Sequence, residues 1–256
     1  MIAPTPAERE LFALLLRTCA ANAPDLTLRV AGGWVRDKLL GRECKDIDVA
    51  LDRMLGRRFI EHFAEQLRRE GVATQGFGVI RQNPEKSKHL ETATIHLMGC
   101  ALDFVNLRGE RYSEDSRVPE MTLGTAEEDA WRRDYTLNAL FYNLHTECVE
   151  DFTRKGLDDL RAGLLRTPLD PRQTFADDPL RVFRGVRFAC RFGFRFEAQT
   201  FAEMANPELK RAFERKISRE RLAQELLGAY RAEESTSAPG RFFELLRETS
   251  FLAPVL

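Results

Sequence analysis

The sequence predicts an α+β domain, a mixed β-sheet with helices, followed by an all-α domain. Three observations carry this. Residues 28–52 read as strand, glycine turn, short helix and second strand in one unit. Further strand-like runs recur up to residue 152. After Thr167-Pro168 the composition shifts, and the remaining residues carry helical patterns. The boundary is therefore expected at 167/168, giving domains of residues 1–167 and 168–256. A chain of 256 residues is long enough for one large or two small domains with a sizeable core.

Composition narrows the function classes. The chain is 43% hydrophobic and 31% charged, with a net charge of −1 and a mean hydropathy of −0.37. The total charge makes no case for nucleic acid, but basic residues crowd residues 172–195. Five widely spaced cysteines without a Cys-x-x-Cys pair argue against a zinc site or disulfide framework, and fit a reducing compartment. No apolar run approaches the ~20 residues of a membrane span, so no membrane partner is expected. The N-terminus carries Glu8 and Glu10 and lacks a signal pattern. The expected location is cytoplasmic, with mitochondrial or nuclear pools left open.

Taken in order, residues 5–22 form an amphipathic helix with Leu11, Leu14, Leu15 and Thr18 on one face, closed by Pro24. Leu28 to Ala31 form the first strand. Gly32 and Gly33 come next, where a tight turn needs unusual backbone angles or close approach. Residues 34–40 suit a short helix, with Gly41 in a C-capping position. The second strand, from Asp46 to Leu51, puts Asp46 and Asp48 on one side and Ile47 and Val49 toward a core.

Two carboxylates a few ångströms apart repel unless a positive charge lies between them. A divalent cation, Mg²⁺, is the natural occupant, because hard cations take carboxylate oxygens and share substrate phosphates. The amides of Gly32 and Gly33, opening a helix, suit a phosphate. Alone, Gly-Gly is an ordinary turn and Asp-x-Asp an ordinary solvated strand end. Together, in this order, they point to phosphoryl or nucleotidyl transfer with two metal ions.

Gly-Gly-x-Val-Arg-Asp-x-Leu-Leu-Gly at residues 32–41, followed by Asp-x-Asp at Asp46 and Asp48, resembles the class II tRNA nucleotidyltransferases, the CCA-adding enzymes. These belong to the polymerase-β-like nucleotidyltransferase superfamily and are close relatives of bacterial poly(A) polymerases. The resemblance implies a nucleotidyltransferase head followed by a helical neck. It also implies tRNA 3′ ends, CTP and ATP as partners, Asp46 and Asp48 as catalytic metal ligands, and Gly32, Gly33, Arg36 and Asp37 at the nucleotide.

Residues 55–70 give a second amphipathic helix (Phe59, Ile60, Phe63, Leu67) that stops at Gly71, and residues 76–80 a strand. Residues 81–90 are polar around Pro84 and read as a loop. The family has a flexible loop here that helps the switch from adding C to adding A. Strands are expected at 91–97 and 100–107. In the second, Asp103 between Leu102 and Phe104 is either an outward-facing strand acid or a third catalytic carboxylate, at a position the superfamily uses.

Residues 108–119 read as a polar loop. Thr125 and Glu128 form a capping box opening a helix that leads into residues 131–140. There Arg132, Arg133 and Asp134 sit among apolar residues, and buried charge must be paired. They form either a structural ion pair or a site for triphosphate and ribose. Arg-Arg-Asp-x-x-x-Asn-Ala resembles the family's second motif, which implies Arg133 and Asp134 as ligands, with Arg132 and Asn138 in support. Residues 141–144 and 148–152 form a hairpin, and residues 156–160 resemble the family's segment joining head to neck.

In the helical part, Asp177 is expected to N-cap a helix with Asp178 and Pro179 in its first turn. Arg181, Arg184 and Arg187 then recur every three residues in one stripe. Such a stripe is either a solvated basic face or a set of anion contacts. It resembles the family's acid-Asp-x-x-Arg motif, with Asp177 where the family more often has Glu. On that resemblance Asp178 accepts from an exocyclic amine and Arg181 donates to the ring. C and A share this pattern, and G and U present the opposite one. Arg184 and Arg187 suit phosphates or orient that pair.

Helical patterns continue at residues 197–204, 219–231 and 241–248, broken by a turn-rich run at 235–240. The resemblance spans about residues 26–195. The family's enzymes usually continue into helical body and tail domains that grip the tRNA elbow. A-only, CC-only or poly(A) addition, and a non-catalytic nucleotide- or RNA-binding module, stay open, and the sequence assigns no oligomeric state.

Overall fold

The computed structural model describes residues 2–72, 77–80, 92–111, 120–230 and 238–252. The chain forms two compact units, Met1–Ala130 with Asn138–Phe152, and Trp131–Leu137 with Thr153–Leu256. This packing division differs from the boundary expected at 167/168, for a local reason. The Thr136 N–H donates to the Arg166 carbonyl at 2.8 Å. Its hydroxyl donates to Asp159 at 2.7 Å, and the Tyr135 hydroxyl donates to the Arg181 carbonyl at 2.9 Å. These bonds tie residues 131–137 to residues 153–167 and to the helix that starts at Arg181.

The first unit runs α1 (Pro6–Asn22), β1 (Leu28–Ala31), α2 (Gly33–Leu39), β2 (Asp46–Leu51), α3 (Gly56–Arg69), β3 (Phe77–Ile80), β4 (Thr92–Leu97), β5 (Cys100–Asn106), β6 (Arg108–Arg111), β7 (Glu120–Leu123), α4 (Ala126–Trp131), β8 (Phe141–Asn143) and β9 (Cys148–Glu150). Seven strands form one sheet in the order β3-β4-β5-β2-β1-β8-β9. Among the described residues only β2 and β5 in it pair in parallel, so the sheet is mixed, as expected. The loop expected over residues 108–119 is in part a separate strand pair, β6 with β7. The C-to-A switching loop at 81–90 lies outside the described residues.

The alternation of β2 sets the two faces. Ile47 and Val49 are 1% and 0% exposed, and on that face Phe104 of β5 meets Phe59 and Phe63 of α3 at ring distances of 5.4 and 6.0 Å. Asn106 at the end of β5 caps α3 through the Gly56 N–H at 3.2 Å, which explains a helix start with no capping side chain of its own. On the opposite face Ala31, Ala50 and Phe141 pack with Ala126 and Ala130 of α4. The Thr125–Glu128 capping box is present, α4 stops at Trp131 and a 3₁₀ turn covers Thr136–Asn138. The helix thus leads into residues 131–140, as expected, and ends where that segment begins.

The second unit contains α5 (Gly156–Ala162), β10 (Leu164–Leu165), α6 (Pro171–Asp177), α7 (Arg181–Phe192), β11 (Arg195–Phe196), α8 (Ala198–Met204), α9 (Pro207–Lys216), α10 (Arg219–Tyr230) and α11 (Ala238–Glu248). It is helix-rich, yet β11 pairs in parallel with β10. Helix α9, capped by Asn206 with Pro207 at its start, was not expected. Ala238 to Gly240, expected within a turn, open α11 instead. The core is aromatic: Phe183 of α7 stacks on Phe213 of α9 at 4.9 Å and meets Phe251 edge-on at 5.5 Å.

Candidate functional site

In the first unit, the strand register builds one row across the sheet. Thr94 lies opposite Asp103, Asp103 opposite Asp48, Asp48 opposite Ala31, and Ala31 opposite Phe141. Partners in register point to one face, so Asp48 and Asp103 stand side by side, roughly 4.8 Å apart between strands. Asp46 is two residues along β2 on the same face, exposed, while Asp48 and Asp103 are half-buried. The Thr94 hydroxyl donates to the Asp103 carboxylate. Among the described residues no three His, Cys, Asp or Glu side chains form a closed metal cluster. The donor set is nevertheless of the right chemistry: hard oxygens, of like charge, on one open face.

Helix α2 starts beside this row. Gly32 has φ 65° and ψ −113°, a combination that a side chain would forbid. Both glycine amides are expected at a phosphate. The structure corrects this for Gly32, whose N–H donates to the Leu140 carbonyl at 3.0 Å. Arg36 and Asp37 are 5% and 2% exposed. Arg36 Nε donates to Asp37 at 2.7 Å and Nη1 to the Asn138 side-chain oxygen at 2.7 Å. In this arrangement Arg36, Asp37 and Asn138 support α2 from within.

The second unit gathers the other candidates. Asp134 is 7% exposed. It accepts from the Tyr135 N–H at 2.8 Å and from Arg184 Nε at 2.7 Å. The Asp134 charge, working against burial, holds the Arg184 guanidinium well above its ordinary range. Arg132 and Arg133 are half-buried, and the Arg132 carbonyl accepts from Arg181 Nη2 at 2.8 Å. Arg181 Nη1 donates to the Thr174 carbonyl at 3.2 Å.

Asp177 does not N-cap the arginine helix. It ends α6, and Asp178 is extended at φ −143°, ψ 98°, as a residue before proline prefers. Helix α7 starts only at Arg181. Asp178 still assists the turn, accepting from the Leu180 N–H at 3.2 Å. Its carboxylate meets Arg221 at 2.7 Å rather than Arg181. Arg187 Nε lies 2.6 Å from Glu225, and Arg184 Nη1 3.8 Å from the same residue.

Two residues of this cluster are absent from the candidates that the sequence suggests. Arg221 and Glu225 lie one turn apart on α10, so one helix face holds Asp178 at one end of the motif and Arg184 with Arg187 at the other. The available signal is their i, i+4 spacing inside an expected helix. Nothing local signals that α10 lies on α7.

A family model, the poly A polymerase head domain, matches residues 28–166. The chain belongs to this family. The head-domain match takes in the glycine turn, the carboxylate row and the Arg132–Arg133–Asp134 segment. Among curated relatives, the mitochondrial CCA tRNA nucleotidyltransferase of Saccharomyces cerevisiae is 54% identical over 210 residues, covering 80% of this chain and 38% of that protein. The chain spans about two fifths of the length of the first curated relatives it matches. Among solved structures, a Thermotoga maritima CCA-adding enzyme complexed with tRNA has a TM-score of 0.69 at 26% identity, covering 96% of this chain and 52% of that one. A CCA-adding enzyme with CTP has a TM-score of 0.70 at 26% identity, over 96% and 51% of the two chains.

Proposed function

We propose that this chain performs template-independent nucleotidyl transfer from CTP and ATP to the 3′ end of tRNA, building or repairing the CCA terminus. The observation that carries the reading is the carboxylate row. Asp48 and Asp103 are paired in register, with Asp46 on the same face, beside a helix opened by Gly32 and Gly33. Similarity to CCA-adding enzymes, one seen with tRNA and one with CTP, supports this chemistry.

Residues 1–167 are proposed as the catalytic head and 168–256 as a neck with base recognition. Asp46 and Asp48, helped by Asp103, would hold Mg²⁺. Bound there, the metal would lower the pKa of the RNA 3′-hydroxyl and neutralise charge on the leaving pyrophosphate. Gly33 offers its amide to a phosphate oxygen and Arg133 a planar donor pair. Asp134 accepts from a ribose hydroxyl, with Arg132 and Asn138 in support. Asp178 and Arg181 select bases with an exocyclic amine beside a ring acceptor, and Arg184 and Arg187 keep that pair oriented. Because Arg221 holds Asp178, and the carbonyls of Thr174 and Arg132 hold Arg181, base reading involves an exchange of partners. A cytoplasmic pool is proposed, and the mitochondrial name of the yeast relative supports a second one there.

The test is incorporation of labelled CTP, ATP, GTP and UTP into tRNA transcripts ending before CCA, after C and after CC. Addition of C, C and then A, lost at least about 100-fold in Asp46→Ala, is expected for groups acting at the reacting phosphate. A alone, or long A tails, would move the specificity to the neighbouring activities. Binding without incorporation would overturn the catalytic reading.

A further inference from the structure

The first helix does more than cover the sheet. Glu8 sits in the first turn of α1 and is 3% exposed, although an unpaired carboxylate at such a place would be strongly disfavoured. It accepts from the Thr5 N–H at 2.6 Å, completing the cap of its own helix. Its other contacts go to α2. The Trp34 indole N–H donates to Oε1 at 2.8 Å, and Lys38 Nζ lies 2.9 Å from Oε2.

Trp34 and Lys38 are one turn apart, so a single carboxylate grips both ends of one face of α2. The grip is reinforced by Phe12, edge-on to Trp34 at 5.5 Å, and by Lys38 over the Trp34 ring at 5.6 Å. Arg36, two residues from each, points to another side of α2 and is held by Asn138. Helix α2 is thus fixed in rotation by bonds on two sides, and its first residue, Gly33, carries the amide proposed above for a phosphate.

We propose that Glu8 is a positioning residue for nucleotide binding, acting through Trp34 and Lys38 to fix the orientation of the Gly33 helix. This rests on the nucleotidyl-transfer reading above. A short helix with no side-chain cap at its start has little intrinsic stability, so its direction depends on what holds its flanks. A small rotation of α2 displaces the Gly33 amide while leaving the carboxylate row on β2 and β5 unmoved. The predicted signature is therefore weaker nucleotide binding with nearly unchanged turnover.

The experiment measures KM for ATP and CTP, kcat and melting temperature for Glu8→Gln, Lys38→Met and the double variant. Glu8→Gln should raise both KM values about fivefold with kcat within roughly twofold, since loss of uniform binding moves KM alone. The double variant should be no worse than the more affected single one, because contacting residues couple. A lowered melting temperature with unchanged KM, or fully additive effects on KM, would overturn the proposal. If Glu8→Gln does not fold, Lys38→Met carries the same KM test with the carboxylate intact. If the wild-type chain incorporates no nucleotide, the catalytic reading fails instead. ATP affinity by titration calorimetry then decides the inference, and equal affinity in wild type and Lys38→Met would overturn it.

Discussion

Arg184 Nε lies 2.7 Å from the Asp134 carboxylate, joining the arginine stripe of α7 to the Arg-Arg-Asp segment that precedes it by about fifty residues. Neither partner is idle surface charge. Asp134 is nearly buried, and Arg184 is 38% exposed along its side chain. Removing Asp134 would leave the guanidinium without its nearest counter-charge. For Asp134→Ala we expect a loss of about 1–3 kcal/mol in urea unfolding, less than the roughly 3–5 kcal/mol of a fully buried pair because water still screens Arg184. A change below about 0.5 kcal/mol would show that Glu225 alone satisfies the arginine.

Gly185 is where α7 lies directly against Tyr135 and Phe196. A methyl group there would collide with the Tyr135 hydroxyl oxygen and stand 2.9 Å from the Phe196 ring. Tyr135 is fully enclosed in a packed core, and overpacking of this kind costs about 1–3 kcal/mol or more. Gly185→Ala should therefore lower the thermal midpoint. Adding Tyr135→Phe should recover only part of it, since the ring carbon bearing the hydroxyl would still stand 2.6 Å away.

Glu8 makes an acid-sensitive contribution to stability. Burial pushes its carboxyl up, but bonds from Lys38, the Thr5 N–H and Trp34 together outweigh burial and hold it below its ordinary 4.5. A depressed folded-state value means the unfolded chain takes up the proton first. The stabilisation is complete above the unfolded value and is lost as pH falls through 4.5 and on through the folded value. Denaturant unfolding of wild type against Glu8→Gln, from neutral pH down into the acid range, should show the gap between them closing there. A gap that stays constant would contradict the assignment.

Thiol labelling should separate the five cysteines. Cys148 is exposed on the hairpin, Cys44 is half-buried, and Cys19, Cys100 and Cys190 are buried. Burial pushes the Cys190 thiol up to about 11 and raises those of Cys19 and Cys100. The thiolate is the reactive form, so at mildly alkaline pH the native protein should show a fast phase that Cys148→Ser removes. Cys190 should react only after unfolding, and fast native labelling there would be incompatible with its place in α7.

Much of the fold was legible because its signals are local. The alternation from Asp46 to Val49, the Thr125–Glu128 box and the apolar face of α3 each declare themselves within a few residues, and each stands where periodicity put it. The expectation failed where neighbours in space override local preference. Arg195 and Phe196 extend because Leu164 and Leu165 lie alongside. Residues 108–111 became a strand through pairing with residues 120–123.

The sequence by itself determined which residue types are available for chemistry: two aspartates on one strand face, a glycine turn before them, and arginines at helical spacing. Spacing along one element dictates which side chains share a face, because each element has a fixed period. Only the tertiary structure decided what each charge meets. Asp103 was brought into register with Asp48 by a parallel pairing across more than fifty residues. Asp178 was given to Arg221, Arg184 to Asp134, and Glu8 to Trp34 and Lys38. Partners of a buried charge are chosen by whichever counter-charges the packing brings within hydrogen-bond reach, and no local pattern encodes that choice.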